Sequence, residues 1–168
     1  MQINLRDLAA KKNQIRLTES LSMEQLLREN GAVPVGPLKA DVTASASIGL
    51  VEVTGELELP MEFSCSRCLS RYCQTLRIAF HESFTQDPDK AKDEEDEVHL
   101  VKDESVELRP FFEEAIVLAV PYVPVCEDAC KGLNQETGEN LNIFPSERTP
   151  ERIDPRLAAL ANFFNKPD

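Results

Sequence analysis

Residues 51–59 read Val51-Glu52-Val53-Thr54-Gly55-Glu56-Leu57-Glu58-Leu59, in which apolar or small side chains alternate with polar ones, most of them acidic. A period of two over this length is typical of a β-strand with one buried and one solvated face. Residues 41–48 alternate more weakly and are expected to pair with this strand through a turn near Ile48-Gly49-Leu50. Residues 75–80 offer a further strand, so the sequence predicts an antiparallel sheet over residues 38–84.

Apolar side chains at helical spacing over residues 109–120 predict the main helix. Pro110 suits the first helical turn, and Pro121 ends the helix because proline cannot continue one. Phe112 and Ile116 fall on one face, which is expected of a helix that packs on a sheet. The predicted fold class is therefore α+β, with one main helix packed on an antiparallel sheet.

Three shorter segments add to this sheet and its connections. Residues 98–101 have strand character and are expected to join the antiparallel sheet. Residues 86–97 are mostly acidic and carry no bulky apolar side chain, so we expect an acidic, disordered and mobile loop. Ile3 and Leu5 alternate with polar neighbours, which predicts a short N-terminal strand.

Short helices are predicted near both ends of the chain. A capping box that begins at Ser22 predicts a helix near residues 22–30. Asp154 is a suitable N-cap, so residues 145–168 are expected to form a C-terminal tail and helix. A chain of this length usually forms one domain, and we expect a single domain over residues 1–168.

The composition restricts the classes of partner. The 168 residues carry a net charge of −12, from 18 Lys and Arg against 30 Asp and Glu. Because phosphate binding depends on Lys and Arg, this acidity disfavours diffuse nucleic-acid binding and suits basic partners. No apolar run approaches the roughly 18 residues of a membrane helix, and the N-terminus does not resemble a signal peptide. We therefore expect a cytoplasmic protein with reduced thiols and no membrane contact.

The usual enzyme motifs are absent from the sequence. Neither His81 nor His99 lies in a metalloprotease motif or beside a nucleophile motif, and no Gly-rich phosphate loop is present. We therefore expect no catalytic residue, no enzyme activity and no small-molecule substrate.

Four of the five cysteines form two close pairs, Cys65 with Cys68 and Cys126 with Cys130. Zinc prefers four tetrahedral thiolate or imidazole ligands, commonly supplied as two such pairs. The pattern predicts a structural zinc site that ties a loop of the sheet to the segment after the main helix. Binding energy at that site would become folding energy.

Two other interpretations of the cysteines stay open. They can be small, partly buried core residues, an interpretation that suits Cys73 at the start of a predicted strand. Cys65 and Cys68 can also form a thiol oxidoreductase pair, but such a pair sits at a helix N-terminus. Here the flanking residues predict strand, turn and strand.

A basic cluster accompanies the cysteines and is a candidate contact for nucleic acid or for a protein partner. Arginine forks suit phosphate oxygens, and a tyrosine can stack on an unpaired base. The alternative is that these cations only offset the acidic surface elsewhere. The candidate residues are Arg67, Arg71, Tyr72, Arg77 and Lys131.

Five stretches of the sequence form a set of landmarks: residues 57–69, 113–126, 130–133, 138–142 and 154–160. Together they resemble the YceD-like family of large ribosomal RNA subunit accumulation proteins. The resemblance implies a non-enzymatic role in large-subunit ribosome biogenesis, through synthesis, processing or stability of the rRNA. It implies a large-subunit precursor as partner, contacted through rRNA, through a basic ribosomal protein, or through both.

One departure from the family pattern affects the metal. Many relatives look as if they carry a second CxxC where this sequence has Asn134 and Thr137. Either the metal is lost, or Cys126 and Cys130 join the first pair. The alternatives to a ribosomal role are a zinc-stabilised interaction module outside the ribosome and the thiol oxidoreductase.

Overall fold

The computed structural model describes residues 1–11, 14–23, 32–92 and 98–145, which form a mixed α+β fold made mostly of sheet. Residues 24–30 of the predicted helix near 22–30, residues 93–97 of the acidic loop and the C-terminal helix lie outside the described residues, whereas Ser22 and Met23 are described and are not helical. The strands are β1 (Gln2–Asn4), β2 (Ile15–Leu21), β3 (Ala32–Pro34), β4 (Leu38–Ser47), β5 (Leu50–Ser64), β6 (Arg71–Thr85), β7 (Val98–Leu100) and β8 (Ser105–Glu107). The helices are α1 (Leu5–Lys11) and α2 (Arg109–Ala119).

The larger sheet has the order β2-β4-β5-β6-β7, and β3 pairs with β5 beyond the end of β4. The predicted pairing of residues 41–48 with 51–59 is confirmed, because β4 and β5 form an antiparallel hairpin. Its turn residues, Ile48 and Gly49, both have positive φ, 44° and 80°. Two positive φ values are typical of the primed turns that match the twist of a hairpin.

Strands β5 and β6 are 15 residues each and form the long centre of this sheet. Leu57, Leu59 and Met61 of β5 have no exposed surface, whereas Glu52 and Glu56 point to solvent. The alternation in the sequence therefore separates the core face of the sheet from an acidic face, and the predicted strand at 75–80 is the middle of β6.

The direction of β7 differs from the prediction. It pairs with β6 in parallel, with Ser83 opposite Val98 and Thr85 opposite Leu100, not antiparallel. A parallel pairing needs a connection of about a dozen residues, and residues 86–97 supply one. The described part of that connection contains a 3-10 turn, Lys90–Lys92, so residues 90–92 have regular local structure.

Helix α2 packs on the core face of β6. Its bounds are close to the predicted range, residues 109–120. The rings of Phe112 and Phe80 meet edge to face with centroids 4.8 Å apart, and Ile116 is fully buried beside them. The next described residues, after Val120, carry the second cysteine pair. No helix in the described ranges is long and apolar enough to span a bilayer.

The N-terminal segment contains a helix that the sequence analysis did not predict. Strand β1 pairs with β8 in a separate two-stranded sheet, but Leu5 begins α1 instead of continuing the strand. Leu5 and Leu8 are both buried, and a separation of three places them on one side of a helix. The prediction of a strand through Leu5 was wrong because two alternating residues are too few to fix a period.

Candidate metal centre

The first cysteine pair lies in the turn between β5 and β6. The Cys65 N–H donates to the Ser70 carbonyl oxygen over 2.9 Å, and the Leu69 N–H donates to the Cys65 carbonyl oxygen over 2.9 Å. Leu69 has a φ of 58°, a left-handed conformation that helps to reverse the chain, and both cysteines of the pair are buried. The rigid hairpin therefore positions this pair.

The second pair reaches the first through a backbone contact. The Ser66 N–H donates to the Pro124 carbonyl oxygen over 2.8 Å, which ties the segment after α2 to the β5–β6 turn. Beyond that contact, the Cys130 N–H donates to the Glu127 carbonyl oxygen over 3.1 Å and closes a turn that carries both Cys126 and Cys130.

The four sulfurs form a compact cluster that can hold a metal ion. All of the Sγ atoms lie within 4.8 Å of one another. The Sγ atoms of Cys65 and Cys130 are 3.8 Å apart, and those of Cys68 and Cys126 are 3.7 Å apart. With Zn–S bonds of about 2.3 Å, the sulfurs of a tetrahedral zinc site lie about 3.8 Å apart. The spacing of these thiols therefore fits zinc.

The ionisation of the cluster also favours a bound cation. Burial raises the pKa of Cys65, but N–H groups of its neighbours, Cys126 and Cys68 first, stabilise the thiolate and bring the pKa down to about 6. Burial, and then the adjacent sulfurs, raise the pKa of Cys126 to about 12. Four thiols this close together cannot all ionise unless a positive charge lies among them, and a divalent metal ion supplies that charge.

Donors around the cluster orient two of the sulfurs. The backbone N–H of Arg67 donates to Cys65 Sγ over 3.4 Å, and the side-chain amide of Asn142 donates to Cys130 Sγ over 3.3 Å. Asn142 also accepts a hydrogen bond from the Lys131 N–H over 2.9 Å. Such outer contacts fix ligand orientation in metal sites. Residues 138–142 carry part of the family resemblance, but no pattern in the sequence indicated this role of Asn142.

Asn134 and Thr137, which stand where many relatives look as if they carry a second CxxC, belong to a hydrogen-bonded turn. Asn134 Oδ1 accepts from the N–H groups of Glu136 and Thr137 over 2.8 and 3.3 Å. The Asn134 carbonyl oxygen accepts from the Gly138 N–H over 2.9 Å. An Asx-type turn therefore shapes this loop without sulfur ligands.

The loop from Lys131 onward packs closely against the first cysteine turn. Gly132 has a φ of 78°, and a Cβ there would lie 3.2 Å from the Arg67 carbonyl oxygen. The Asn140 side-chain amide donates to Ser70 Oγ over 3.0 Å. The close approach to Arg67 explains why position 132 is a glycine. The contacts of Gly132 and Asn140 hold the loop from Lys131 onward against the β5–β6 turn.

The basic residues of the predicted contact surface have other partners. Arg67 Nη1 donates to the carbonyl oxygens of Asp128 and Cys130 over 3.0 and 3.3 Å, so this side chain helps to hold the second cysteine turn. Arg71 pairs with Glu62 at 3.3 Å, and Arg77 pairs with Glu58 at 3.2 Å across β5 and β6.

Arg77 lies apart from the other basic residues of the predicted contact surface. Arg71 and Arg77 are six positions apart on β6, a distance of about 20 Å in a strand. Lys131 is exposed beside the cysteine cluster. Tyr72 is half-buried with its ring 5.7 Å from that of Phe63, so its ring faces the core and the cysteines.

The placement of Cys73 corrects one expectation. Cys73 is exposed on β6 opposite Glu62, so it is not the partly buried core residue that its position suggested. It lies on the outer face of the sheet because side chains of a strand alternate and Tyr72 takes the core side.

A comparison with protein families finds one match, over residues 53–164, to the model described as "Large ribosomal RNA subunit accumulation protein YceD". The match includes all four clustered cysteines and covers more than half of the chain. The chain belongs to the YceD family. The prediction of this family from the sequence landmarks is therefore confirmed.

Two bacterial proteins are similar to most of this chain. An uncharacterized protein of Mycobacterium tuberculosis is 36% identical over 143 residues, which are 83% of this chain and 66% of the relative. The chain thus spans slightly less than two thirds of that relative. The uncharacterized protein YlbN of Bacillus subtilis is 27% identical over 167 residues, which are 94% of this chain and 92% of YlbN. No solved structure matches the chain.

Proposed function

We propose that this protein is a non-enzymatic factor in large-subunit ribosome biogenesis that supports the synthesis, processing or stability of large-subunit rRNA. The observation that carries the proposal is the family match, whose printed description names accumulation of large-subunit rRNA. The match begins in β5 and extends through β6, α2 and the cysteine cluster, so it includes the one group of side chains among the described residues that could hold a metal ion.

The cysteine cluster serves this function as a structural zinc site. Cys65, Cys68, Cys126 and Cys130 supply four ligands, and a zinc ion with four protein ligands has no open position for a substrate. Zinc would supply a link between the β5–β6 turn and the segment after α2. Its binding free energy would add to the stability of the fold.

A thiol oxidoreductase fits the site less well. A redox cysteine must be reached by a second thiol or disulfide, but Cys65 has no exposed surface and Cys68 is only 4% exposed. The pair follows a strand, so no helix N-terminus activates it. The low pKa of Cys65 suits a metal ligand equally well, because zinc binds the thiolate.

The arginine pairings favour a protein partner over rRNA as the direct contact. The guanidinium groups of Arg71 and Arg77 are already paired with glutamates, and Arg67 holds backbone carbonyls. Among the described residues, few cations near the cluster therefore remain for phosphate oxygens, whose binding depends on Lys and Arg. A basic ribosomal protein within the large-subunit precursor is the partner class that this charge distribution suits.

The test is the ratio of large-subunit to small-subunit rRNA after depletion of the protein, measured by quantitative electrophoresis. We expect a selective loss of large-subunit rRNA that returns to normal when the wild-type chain is supplied. A chain with Cys65→Ser and Cys68→Ser should fail to restore the ratio, whereas Cys73→Ser, at the exposed cysteine, should restore it. An unchanged ratio after depletion would contradict the proposal and favour an interaction module outside the ribosome.

A further inference from the structure

We propose that an exposed apolar surface around the cysteine cluster binds a basic protein segment that also carries apolar side chains. This inference rests on the proposed function and names the chemistry of its partner. The cysteine-module surface consists of Leu69, Tyr122, Val123, Ile143 and Phe144.

The exposure of these side chains is high for their type. All five are between 58% and 100% exposed, and Tyr122 is completely exposed. Single exposed apolar residues are common on proteins, but a group of them on one part of the surface marks an interaction site. Aromatic side chains are also those that contribute most to binding at interfaces.

Hydrogen bonds bring the three segments that carry this surface to the same end of the sheet. Leu69 belongs to the turn between β5 and β6, which carries Cys65 and Cys68. Val123 precedes Pro124, whose carbonyl oxygen accepts a hydrogen bond from the Ser66 N–H over 2.8 Å. Ile143 and Phe144 both donate their N–H groups to the carbonyl oxygen of Asn140, over 3.0 and 2.9 Å. The Asn140 side chain in turn donates to Ser70, beside Leu69.

The charge around this surface stays negative after the cations beside it are counted. Residues 121–145 carry four acids against Lys131 alone, and the β5–β6 turn adds Arg67 and Arg71, of which Arg71 is paired with Glu62. Within the described part of the chain, none of these four acids has an ion-pair partner, whereas Glu58 and Glu62 on the sheet pair with arginines. The acids are Glu127, Asp128, Glu136 and Glu139.

This combination selects one class of occupant. Unpaired carboxylates repel the phosphates of RNA and attract Lys and Arg, which raises the association rate of a basic partner. The apolar side chains supply area that is buried only when the partner carries apolar residues as well. A basic protein segment with apolar side chains satisfies both requirements.

The experiment measures binding of a labelled synthetic peptide, with alternating Lys and Leu residues, to the full zinc-loaded chain by fluorescence anisotropy. We expect saturable binding, and a Kd raised about tenfold or more by Tyr122→Ser combined with Phe144→Ser, since each removes exposed aromatic area. Glu127→Gln with Asp128→Asn should weaken binding and reduce its dependence on salt. Zinc content and circular dichroism verify that each variant is folded.

The matched control is Ile48→Asn, which removes a side chain that is 90% exposed at the other end of β5. Strand β5 separates the two sites by 15 residues, about 50 Å, and asparagine accepts the positive φ of this position. Peptide binding should be unchanged in this variant. An equal loss of binding in the control and in the surface variant would overturn the inference.

Two further probes test the chemistry of the partner. A peptide with Ser in place of every Leu should bind much more weakly, and equal binding would overturn the apolar part of the inference. A single-stranded uridine-rich RNA should not compete with the Lys–Leu peptide. RNA binding that is lost in the Tyr122→Ser and Phe144→Ser variant would assign the surface to RNA and overturn the inference.

A rescue experiment separates this inference from the proposed function. If depletion lowers the rRNA ratio and the surface variant restores it as fully as wild type, the surface is not the contact and the biogenesis role stands. If depletion leaves the ratio unchanged but the peptide binds through the surface, the binding site stands and the biogenesis role fails.

Discussion

Cys65 Sγ and Cys130 Sγ lie 3.8 Å apart, although 65 positions separate the two residues in the chain. Between them the chain forms β6, β7, β8 and α2. The two ends of this long segment meet because the Ser66 N–H binds the Pro124 carbonyl oxygen beside the cluster. Because its thiols come from both ends of this segment, a change in the position of either end alters the cluster.

Loss of the first cysteine pair should remove zinc and lower stability. Cys65→Ser with Cys68→Ser deletes two buried ligands, so we expect no bound zinc and a markedly lower melting temperature. Cys73→Ser changes an exposed side chain and should retain one zinc ion per chain with nearly the wild-type melting temperature. Metal analysis and thermal unfolding measure both. Equal melting shifts, together with a zinc-free wild type, would contradict the structural zinc site.

Removal of the Asn142 amide should weaken metal binding without disturbing the sheet. Asn142→Ala deletes the N–H donor to Cys130 Sγ and the acceptor of the Lys131 N–H. Loss of an outer contact of this kind costs about 10–100-fold in metal affinity. Competition with a chromophoric chelator gives the affinity, and Gln135→Ala, at an exposed amide of the same loop, is the matched control. Identical affinities in the two variants would assign no role to Asn142.

Two arginines in the same hairpin should differ in their contribution to stability. Arg77→Ala breaks an exposed ion pair with Glu58, worth about 0–1 kcal/mol. Arg67→Ala removes hydrogen bonds to the carbonyl oxygens of Asp128 and Cys130, worth about 1–2 kcal/mol. Urea unfolding gives both free energies of unfolding. A larger loss for Arg77→Ala than for Arg67→Ala would show that Arg67 does not hold the second cysteine turn.

Gly55 should be intolerant of any side chain. A Cβ at this position would lie 2.6 Å from Val42 Cα and would also meet the Asp41 carbonyl oxygen of the paired strand, and a backbone cannot yield as a side chain can. Gly55→Ala should therefore lower the free energy of unfolding by about 1–3 kcal/mol. Thr54→Ala, at the exposed neighbouring position, should have a smaller effect in the same urea titration. Comparable effects at the two positions would indicate that β4 adjusts to the added methyl group.

The central hairpin could be predicted from sequence because its signals are local. The alternation of residues 51–59 and the turn at Ile48 and Gly49 each act between neighbours in the chain. Strand β5 nevertheless continues through Pro60, which local rules place at a strand edge. Pro60 is tolerated because β5 changes partner there, with Glu58 facing β4 and Met61 facing β3.

The direction of β7 and the missed strand β2 show where local patterns fail. The side chains of residues 98–100 are compatible with a parallel or an antiparallel neighbour, so the direction of β7 depends on the connection from β6, residues 86–97. In β2 the apolar series of Ile15, Leu17 and Leu21 is interrupted by Glu19, which hides its period. The strand forms because β4 offers a full set of backbone partners.

The candidate site was predictable in its ligands but not in its assembly. The spacing of Cys65 with Cys68 and of Cys126 with Cys130 identified four thiols, but spacing cannot say whether two pairs meet. Their meeting depends on backbone contacts between distant segments, such as Ser66 with Pro124. Arg77 was grouped with Arg67 and Arg71 by sequence proximity, whereas β6 carries Arg77 away from the β5–β6 turn.

The separation of 65 positions between Cys65 and Cys130 also bears on the order of events in folding. Closing a loop of that size in a disordered chain costs about 4 kcal/mol of conformational entropy, a cost that the folded chain has already met, so the folded chain binds the ion more readily. We therefore expect the β5–β6 hairpin and the docking of α2 to precede tight binding of the ion. Uptake of the ion would then be the final step, and its kinetics would report when the rest of the chain has reached its native arrangement.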